Sequence, residues 1–273
     1  MPDNTWNFMD PASQDRVLTV IRRDADDFFA LVSDPARWQA RTACEGWEVR
    51  DVVGHMIDAT EGYFPGWEAA HTGAATPEPL GLTGMAARCD ANAKAFRSLS
   101  QDEAIARLRA DFDQLMVAFE KLDNESWSGL IVSHPYMGPL PAMFFAIFQL
   151  VDYAVHGWDI RQGTDAPHGL GGDSADLLVP LMFVLWQATT DPSSVTEPFS
   201  VGVRVTGVNG GDVRIDVSPE GLQYAPGAID DLPVIIDFDA ASFVLTAYGR
   251  MNAGTVRGDA ALASRLRSLF FAV

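Results

Sequence analysis

The sequence has 273 residues, of which 48% are apolar and 21% are charged, so it can bury a sizeable core in one large domain or two ordinary ones. Its formal net charge of −18 repels phosphate backbones, and we therefore expect no nucleic-acid partner. The two cysteines, Cys44 and Cys89, are too few for a disulfide framework or a four-cysteine zinc site. This usage fits a reducing compartment.

No membrane or secretory segment is predicted. Residues 1–6 contain no basic stretch followed by an apolar core, so they do not form a secretory signal. The longest apolar stretches, residues 140–151 and 177–186, are shorter than the roughly 20 residues that a spanning helix needs. We expect a cytoplasmic protein that has no membrane partner.

The first two thirds of the chain follow the apolar periodicity of helices. Ser100 can cap one of them, and residues 126–141, which are rich in Gly and Pro, are predicted to form a loop. Helices are predicted over residues 15–32, 49–64, 142–161 and 175–189, with two more inside 84–122.

The pattern changes at about residue 193. Asn209-Gly210-Gly211 is a hairpin signal between two segments that alternate as strands do. Strands are predicted over residues 199–205, 212–217 and 234–238, and helices over 240–248 and 260–271. The predicted fold class is therefore α plus α+β, with a helical domain over residues 1–193 and a small α+β domain over residues 194–273.

The helix predicted at residues 142–161 carries a narrow polar stripe in a broad apolar surface. Gln149, Asp152, His156 and Asp159 share this stripe, and Asp152 and His156 are four residues apart, so they stack on one face. A buried carboxylate beside a buried imidazole must be paired or must bind a metal. The helix by itself favours a structural Asp–His pair and a pair of metal ligands equally.

A catalytic zinc ion usually takes three protein ligands, so a third ligand is expected from another helix. His55 is the candidate, although a lone histidine beside an apolar stripe is more often a core or flank residue. The remaining histidines, His71, His134 and His168, are in loop-like contexts and are weaker candidates, with His134 expected near a pocket entrance.

Two sequence runs resemble a known family. CEGWEVRDVVGH at residues 44–55 resembles the opening motif of mycothiol-dependent maleylpyruvate isomerase-like proteins, within the DinB-like metalloenzyme superfamily. VDYAVHGWD at residues 151–159 resembles their second motif. DFD at residues 237–239 and GD at 258–259 are similar to the sterol-carrier-protein-like domain that is often fused to the family. The resemblance covers nearly the whole chain.

The resemblance implies a DinB-like four-helix bundle that binds a divalent metal, most often zinc, through His55, Asp152 and His156. It also implies that Arg250 reaches the active site, whereas an ion pair at the surface or between domains is an equal alternative. Asp152 stands where the isomerases have Glu. The shorter Asp side chain can change the metal coordination geometry or the preferred metal. Glu48 stands where Thr often caps the following helix.

The implied function is a metal-dependent enzyme that uses mycothiol or a similar low-molecular-weight thiol to isomerise a small electrophile or to transfer sulfur to it. One alternative is a DinB-like hydrolase or cyclase that acts without thiol, and another is a non-catalytic protein that binds small molecules or lipids. The roles of two residues are open: Asp159 is either an outer-shell group or a solvent-facing charge, and Cys44 is either near the site or an inert buried thiol. The apolar residues 269–273 pack on the body or on a second subunit in a homodimer.

Overall fold

The structure is a computed structural model that describes residues 7–164 and 168–271. Residues 1–6, which we interpreted above as carrying no secretory signal, and the last two residues of the apolar C-terminal run lie outside the described residues. Packing divides the chain into two compact units, one built from Phe8–Leu170 and one that begins at Gly171. No helix among the described residues is long and apolar enough to span a membrane.

The first unit is a bundle of four long helices with short elements at its ends. Its helices are α1 (Gln14–Val32), α2 (Val49–Thr72), α3 (Gly81–Ala95), α4 (Gln101–Glu120), α5 (Asn124–Gly129) and α6 (Met143–Gly163). The bundle helices α1, α2, α4 and α6 bury large side chains between them, among which Phe28, Phe29, Phe112 and Tyr153 form edge-to-face ring contacts. Burial of these rings supplies much of the driving force for the bundle.

The helix ends follow from local chemistry. Ser100 caps α4 as predicted: its hydroxyl accepts a hydrogen bond from Glu103 N at 3.3 Å, and the Glu103 carboxylate accepts one from Ser100 N at 2.9 Å. Helix α2 continues past Pro65, beyond the predicted end at residue 64. It ends at Gly73, whose φ of 73° is a left-handed conformation that glycine adopts without strain.

The prediction of a loop over residues 126–141 is wrong. This segment contains the end of α5 and an antiparallel hairpin of β1 (Ile131–His134) and β2 (Gly138–Pro141). Trp127 is fully buried, and its indole N–H donates to Phe8 O at 2.8 Å, which fixes α5 against the bundle. His134 is also buried, and its Nδ1 accepts hydrogen bonds from Tyr136 N and Met137 N at 3.2 and 3.1 Å. His134 therefore closes the hairpin turn.

Within the described residues, the second unit contains a five-stranded mixed sheet and three α-helices. Its elements are α7 (Gly172–Thr189), β3 (Phe199–Thr206), β4 (Gly211–Ser218), β5 (Gly221–Pro226), β6 (Val234–Asp239), α8 (Ala240–Ala247), β7 (Thr255–Gly258) and α9 (Ala260–Arg267). The strand order is β5-β4-β3-β6-β7, with β3 and β6 parallel and the other pairs antiparallel. The edge strands β5 and β7 were not predicted, because Leu222 is the one buried residue in the two strands and they lack the apolar alternation of a half-buried strand.

Helix α7 packs within the sheet unit, although the sequence placed the boundary after it, near residue 193. Its Trp186 contacts the ring of Phe243 on α8 at a centroid distance of 5.0 Å and stacks on Phe270 at 4.8 Å. The described part of the apolar C-terminal run thus packs on its own unit. The α plus α+β fold class is confirmed, whereas the sterol-carrier-like relationship of the second unit stays a prediction.

A glycine lets two helices of the first unit touch backbone to backbone. A Cβ atom at Gly54 on α2 would lie 2.2 Å from the carbonyl oxygen of Ala93 on α3, so no larger residue fits without moving α3. Gly62, two turns further along α2, has ordinary space around it, with Pro135 Cγ at 3.6 Å from the same hypothetical atom. Gly54 and Gly62 therefore serve as a test position and its control on the same helix.

We predict that Gly54→Ala lowers the free energy of unfolding by about 1–3 kcal/mol, because the added methyl group overpacks the contact with α3. Gly62→Ala should be neutral or stabilising by up to about 1 kcal/mol, since alanine is the better helix former. Urea unfolding of both variants measures this difference. Equal effects of the two substitutions would contradict the close approach of α3.

Candidate metal centre

The polar stripe predicted on α6 lies inside the first unit. Gln149 and Asp159 are fully buried and His156 is 8% exposed, while Asp152 is partly exposed. The amide of Gln149 donates to the hydroxyl of Thr60 on α2 at 3.2 Å. Burial of polar groups carries a free-energy cost unless they are paired, so the stripe requires partners from neighbouring elements.

The structure brings the three predicted ligands together. The ligand atoms of His55, Asp152 and His156 all lie within 4.8 Å of one another, and the two imidazole rings are 5.0 Å apart, edge to face. Two imidazoles and a carboxylate are a donor set that catalytic zinc takes with a fourth position open. These residues therefore fit a divalent metal; His55 comes from α2, and Asp152 and His156 come from α6.

The environment of Asp152 favours a nearby cation. Burial raises the pKa of the Asp152 carboxyl to about 6, and the neighbouring His156 lowers it in part. A carboxylate at such a position is stabilised when a positive charge sits beside it.

Asp159 fixes the orientation of the His156 ring through its Nδ1 atom. Nδ1 of His156 lies 2.9 Å from Oδ2 of Asp159, and the thiol of Cys44 donates to the same oxygen at 3.0 Å. Burial lowers the pKa of His156, but its contacts with Asp159 and with the Cys44 sulfur, 3.9 Å from Nδ1, outweigh burial and raise the pKa to about 10. A carboxylate on Nδ1 selects the tautomer that presents Nε2 to a metal. Asp159 is fully buried, so the alternative that it is a solvent-facing charge is wrong. Of the two alternatives for Cys44, the structure supports a position near the site.

Cys44, His156 and Asp159 also lie within 4.8 Å of one another and form a second group of metal-type ligands. In this group the Asp159 oxygen already accepts two hydrogen bonds, and Nδ1 of His156 makes one of them. We therefore assign Cys44 and Asp159 as residues that support the candidate site formed by His55, Asp152 and His156. His156 belongs to both groups.

Two further residues, Cys89 and Trp47, lie beside His55 without having been predicted. Sγ of Cys89 on α3 lies 3.5 Å from Nδ1 of His55, and burial, followed by the charge of Asp152, raises the pKa of this thiol to about 11. The ring of Trp47 lies 5.4 Å from His55, and its indole N–H donates to Asp90 on α3 at 3.0 Å. No sequence pattern linked α3 to the histidines, because the contact depends on the packing of α3 at Gly54.

Arg250 lies in the second unit, in the turn after α8. Nη1 of its side chain donates to the carbonyl oxygen of Tyr248 at 3.1 Å, and its backbone N–H donates to the carbonyl oxygen of Leu245 at 2.8 Å. Its role in the active site stays a prediction. Of the other histidines, His71 is exposed at the end of α2, and His168 lies 2.7 Å from Nη1 of Arg161.

We predict that Asp159→Asn weakens zinc binding by roughly 10–100-fold, the usual cost of removing an outer-shell partner from a histidine ligand. Competition with a chromophoric chelator measures the affinity. Asp113→Asn, which removes the same charge from an exposed position on α4, serves as the control and should leave the affinity unchanged. Unaltered zinc affinity in Asp159→Asn would show that Asp159 does not support the site.

Comparison with known proteins agrees with this architecture. The family model described as the mycothiol maleylpyruvate isomerase N-terminal domain matches residues 18–161, which include all three residues of the triad. No curated protein sequence matches the chain significantly.

Solved structures show the same fold over most of the chain. Crystal structures of mycothiol-dependent maleylpyruvate isomerase and of its histidine-to-alanine mutant each align with a TM-score of 0.60 and 18% identity, covering 90% of this chain and 94% of the other. A weaker similarity, with a TM-score of 0.48 and 11% identity, is to the colibactin self-resistance protein ClbS in complex with double-stranded DNA and covers 57% of this chain and 97% of that one. The family model extends over more than half of the 273 residues, and the chain belongs to the mycothiol maleylpyruvate isomerase N-terminal domain family.

Proposed function

We propose that the protein is a metal-dependent enzyme that uses mycothiol or a similar low-molecular-weight thiol to isomerise a small electrophilic substrate. The observation that carries this proposal is the convergence of His55, Asp152 and His156 within 4.8 Å in a chain of this family. Isomerisation is preferred to sulfur transfer because the crystal structures with the same fold are of an isomerase.

His55, Asp152 and His156 would hold the metal, and Asp159 would keep His156 in the tautomer that binds it. When bound, a divalent ion such as zinc would act as a Lewis acid that lowers the pKa of the cosubstrate thiol, so that its thiolate is present at neutral pH. Trp47, beside both imidazoles, would limit the access of water to this side of the site.

The isomerisation itself needs neither an oxidant nor a reductant. The thiolate sulfur forms a bond to one carbon of a C=C bond that is conjugated with a carbonyl group, and the π electrons of that bond move toward the carbonyl oxygen. The former double bond is now single and rotates. Reversal breaks the C–S bond, releases the thiolate and restores the double bond in the opposite geometry.

Arg250 is proposed to hold a carboxylate of the substrate through a two-point contact, which is the interaction that a guanidinium group makes best. Arg250→Gln should therefore raise KM for an acidic substrate more than it lowers kcat, as steady-state kinetics would measure.

The test is turnover of maleylpyruvate by the zinc-loaded protein with mycothiol, with glutathione and with no thiol. We predict turnover that requires a thiol, and a loss of at least about 100-fold in His156→Ala, since removal of a ligand should exceed the 10–100-fold effect of an outer-shell change. His71→Ala is the matched control and should retain full activity, because its side chain is exposed.

Calorimetric titration with mycothiol provides a readout that does not depend on the choice of electrophile. Binding to the wild type and to His71→Ala, with loss in His156→Ala, is the expected result. Turnover that is equal without thiol would contradict the proposal and favour a DinB-like metalloenzyme that acts on its substrate directly.

A further inference from the structure

The thiol of Cys89 on α3 contacts one of the candidate metal ligands. Its Sγ lies 3.5 Å from Nδ1 of His55, close enough for a hydrogen bond that involves sulfur. Among the described residues, the ligand groups whose atoms all lie within 4.8 Å of one another include Cys44 but not Cys89. Cys89 therefore contacts a ligand without being placed to share the metal with the other two.

The packing of α3 on α2 fixes this contact. Asp58 follows His55 by three residues on α2, and Asn92 follows Cys89 by three residues on α3, so each pair lies on one face of its helix. Nδ2 of Asn92 donates to Oδ2 of Asp58 at 2.9 Å. The close backbone approach at Gly54, the residue before His55, belongs to the same helix pair. These contacts leave α3 little room to shift away from His55.

Both imidazoles of the candidate centre have a side-chain group at Nδ1. Nδ1 of His156 lies 2.9 Å from Oδ2 of Asp159, and Nδ1 of His55 faces the sulfur of Cys89. A histidine whose Nδ1–H donates to such a group keeps the lone pair of Nε2 for a metal, and its ring is held in one orientation. Sulfur is a weaker acceptor than a carboxylate, so the contact of Cys89 contributes less than that of Asp159.

We propose that Cys89 is a positioning residue for the metal centre, whose sulfur accepts a hydrogen bond from Nδ1–H of His55 and so directs Nε2 of that ring at the metal. This inference rests on the proposed function, because it requires His55 to bind a metal. Cys89 acts through His55 and contacts neither the metal nor the thiol cosubstrate. A helix that carries no ligand thereby contributes to the affinity and geometry of the site.

The first test uses the zinc-loaded wild type with isotope-labelled histidine. Long-range proton–nitrogen NMR spectra show which ring nitrogen of each histidine carries a proton and which one binds the metal. We expect His55 to bind zinc through Nε2 and to carry a proton on Nδ1. Zinc bound to Nδ1 of His55 would overturn the proposal, and this result requires no variant.

The second test is zinc affinity, measured by competition with a chromophoric chelator. Cys89→Ala should weaken binding by about tenfold, the lower end of the usual effect of an outer-shell partner, because sulfur is a weak acceptor. Cys89→Ser retains an acceptor and should recover most of the affinity. Thr83→Ala, which removes an exposed hydroxyl from the same helix, is the matched control and should leave the affinity unchanged. Circular dichroism identifies the variants that remain folded.

Cobalt(II) in place of zinc reports the arrangement of the ligands through its visible absorption. Cys89→Ala should alter this spectrum, whereas Thr83→Ala should not. A sulfur-to-cobalt charge-transfer band that is present in the wild type and lost in Cys89→Ala would overturn the proposal, since Cys89 would then bind the metal itself.

Reduced zinc affinity in Cys89→Ala that is recovered in Cys89→Ser would support the positioning role. Equal affinity in the wild type and in folded Cys89→Ala would overturn this role and leave the proposed function intact. Failure of the wild type to bind zinc would instead overturn the proposed function, and the role of Cys89 with it.

Discussion

A line of polar side chains inside the apolar helix α6 constrains much of the first unit. Gln149, His156 and Asp159 are buried there, and each requires a partner that another element or a neighbouring residue supplies. The hydroxyl of Thr60 on α2 accepts a hydrogen bond from the Gln149 amide. Oδ2 of Asp159 accepts a hydrogen bond from the Cys44 thiol and also lies within hydrogen-bond distance of Nδ1 of His156. Two requirements remain: Oε1 of Gln149 is buried without a hydrogen-bond partner among the described residues, and a cation among two imidazoles and a carboxylate is what a bound metal would supply.

Backbone contacts fix the positions of the segment before α2 and of α3 relative to this stripe. The N–H of Ala43 donates to the backbone carbonyl of Asp159 at 2.9 Å, which ties the segment containing Cys44 and Trp47 to α6. On the other side, the small size of Gly54 lets α3 approach the helix that carries His55, and this places Cys89 beside that imidazole. The centre therefore depends on contacts made by parts of the chain that hold no metal ligand themselves.

Much of this centre is predictable from the sequence because it rests on helical spacing. The four-residue interval between Asp152 and His156 fixes their common face, and the resemblance of residues 44–55 to a family motif adds His55. The burial of Asp159 and the position of Cys89 are not predictable in this way, since both depend on which helices pack together. The hairpin around His134 and the placement of α7 with the sheet also reflect tertiary contacts, which override local composition.

Elemental analysis of the purified protein tests the central claim most directly, with His55→Ala, His156→Ala and the exposed control His71→Ala measured beside the wild type. The account predicts about one equivalent of zinc or a similar divalent ion per chain in the wild type and in His71→Ala, and loss of that ion in the other two variants while circular dichroism shows that they remain folded. Absence of metal from the wild type, even after incubation with zinc and other divalent ions, would contradict it.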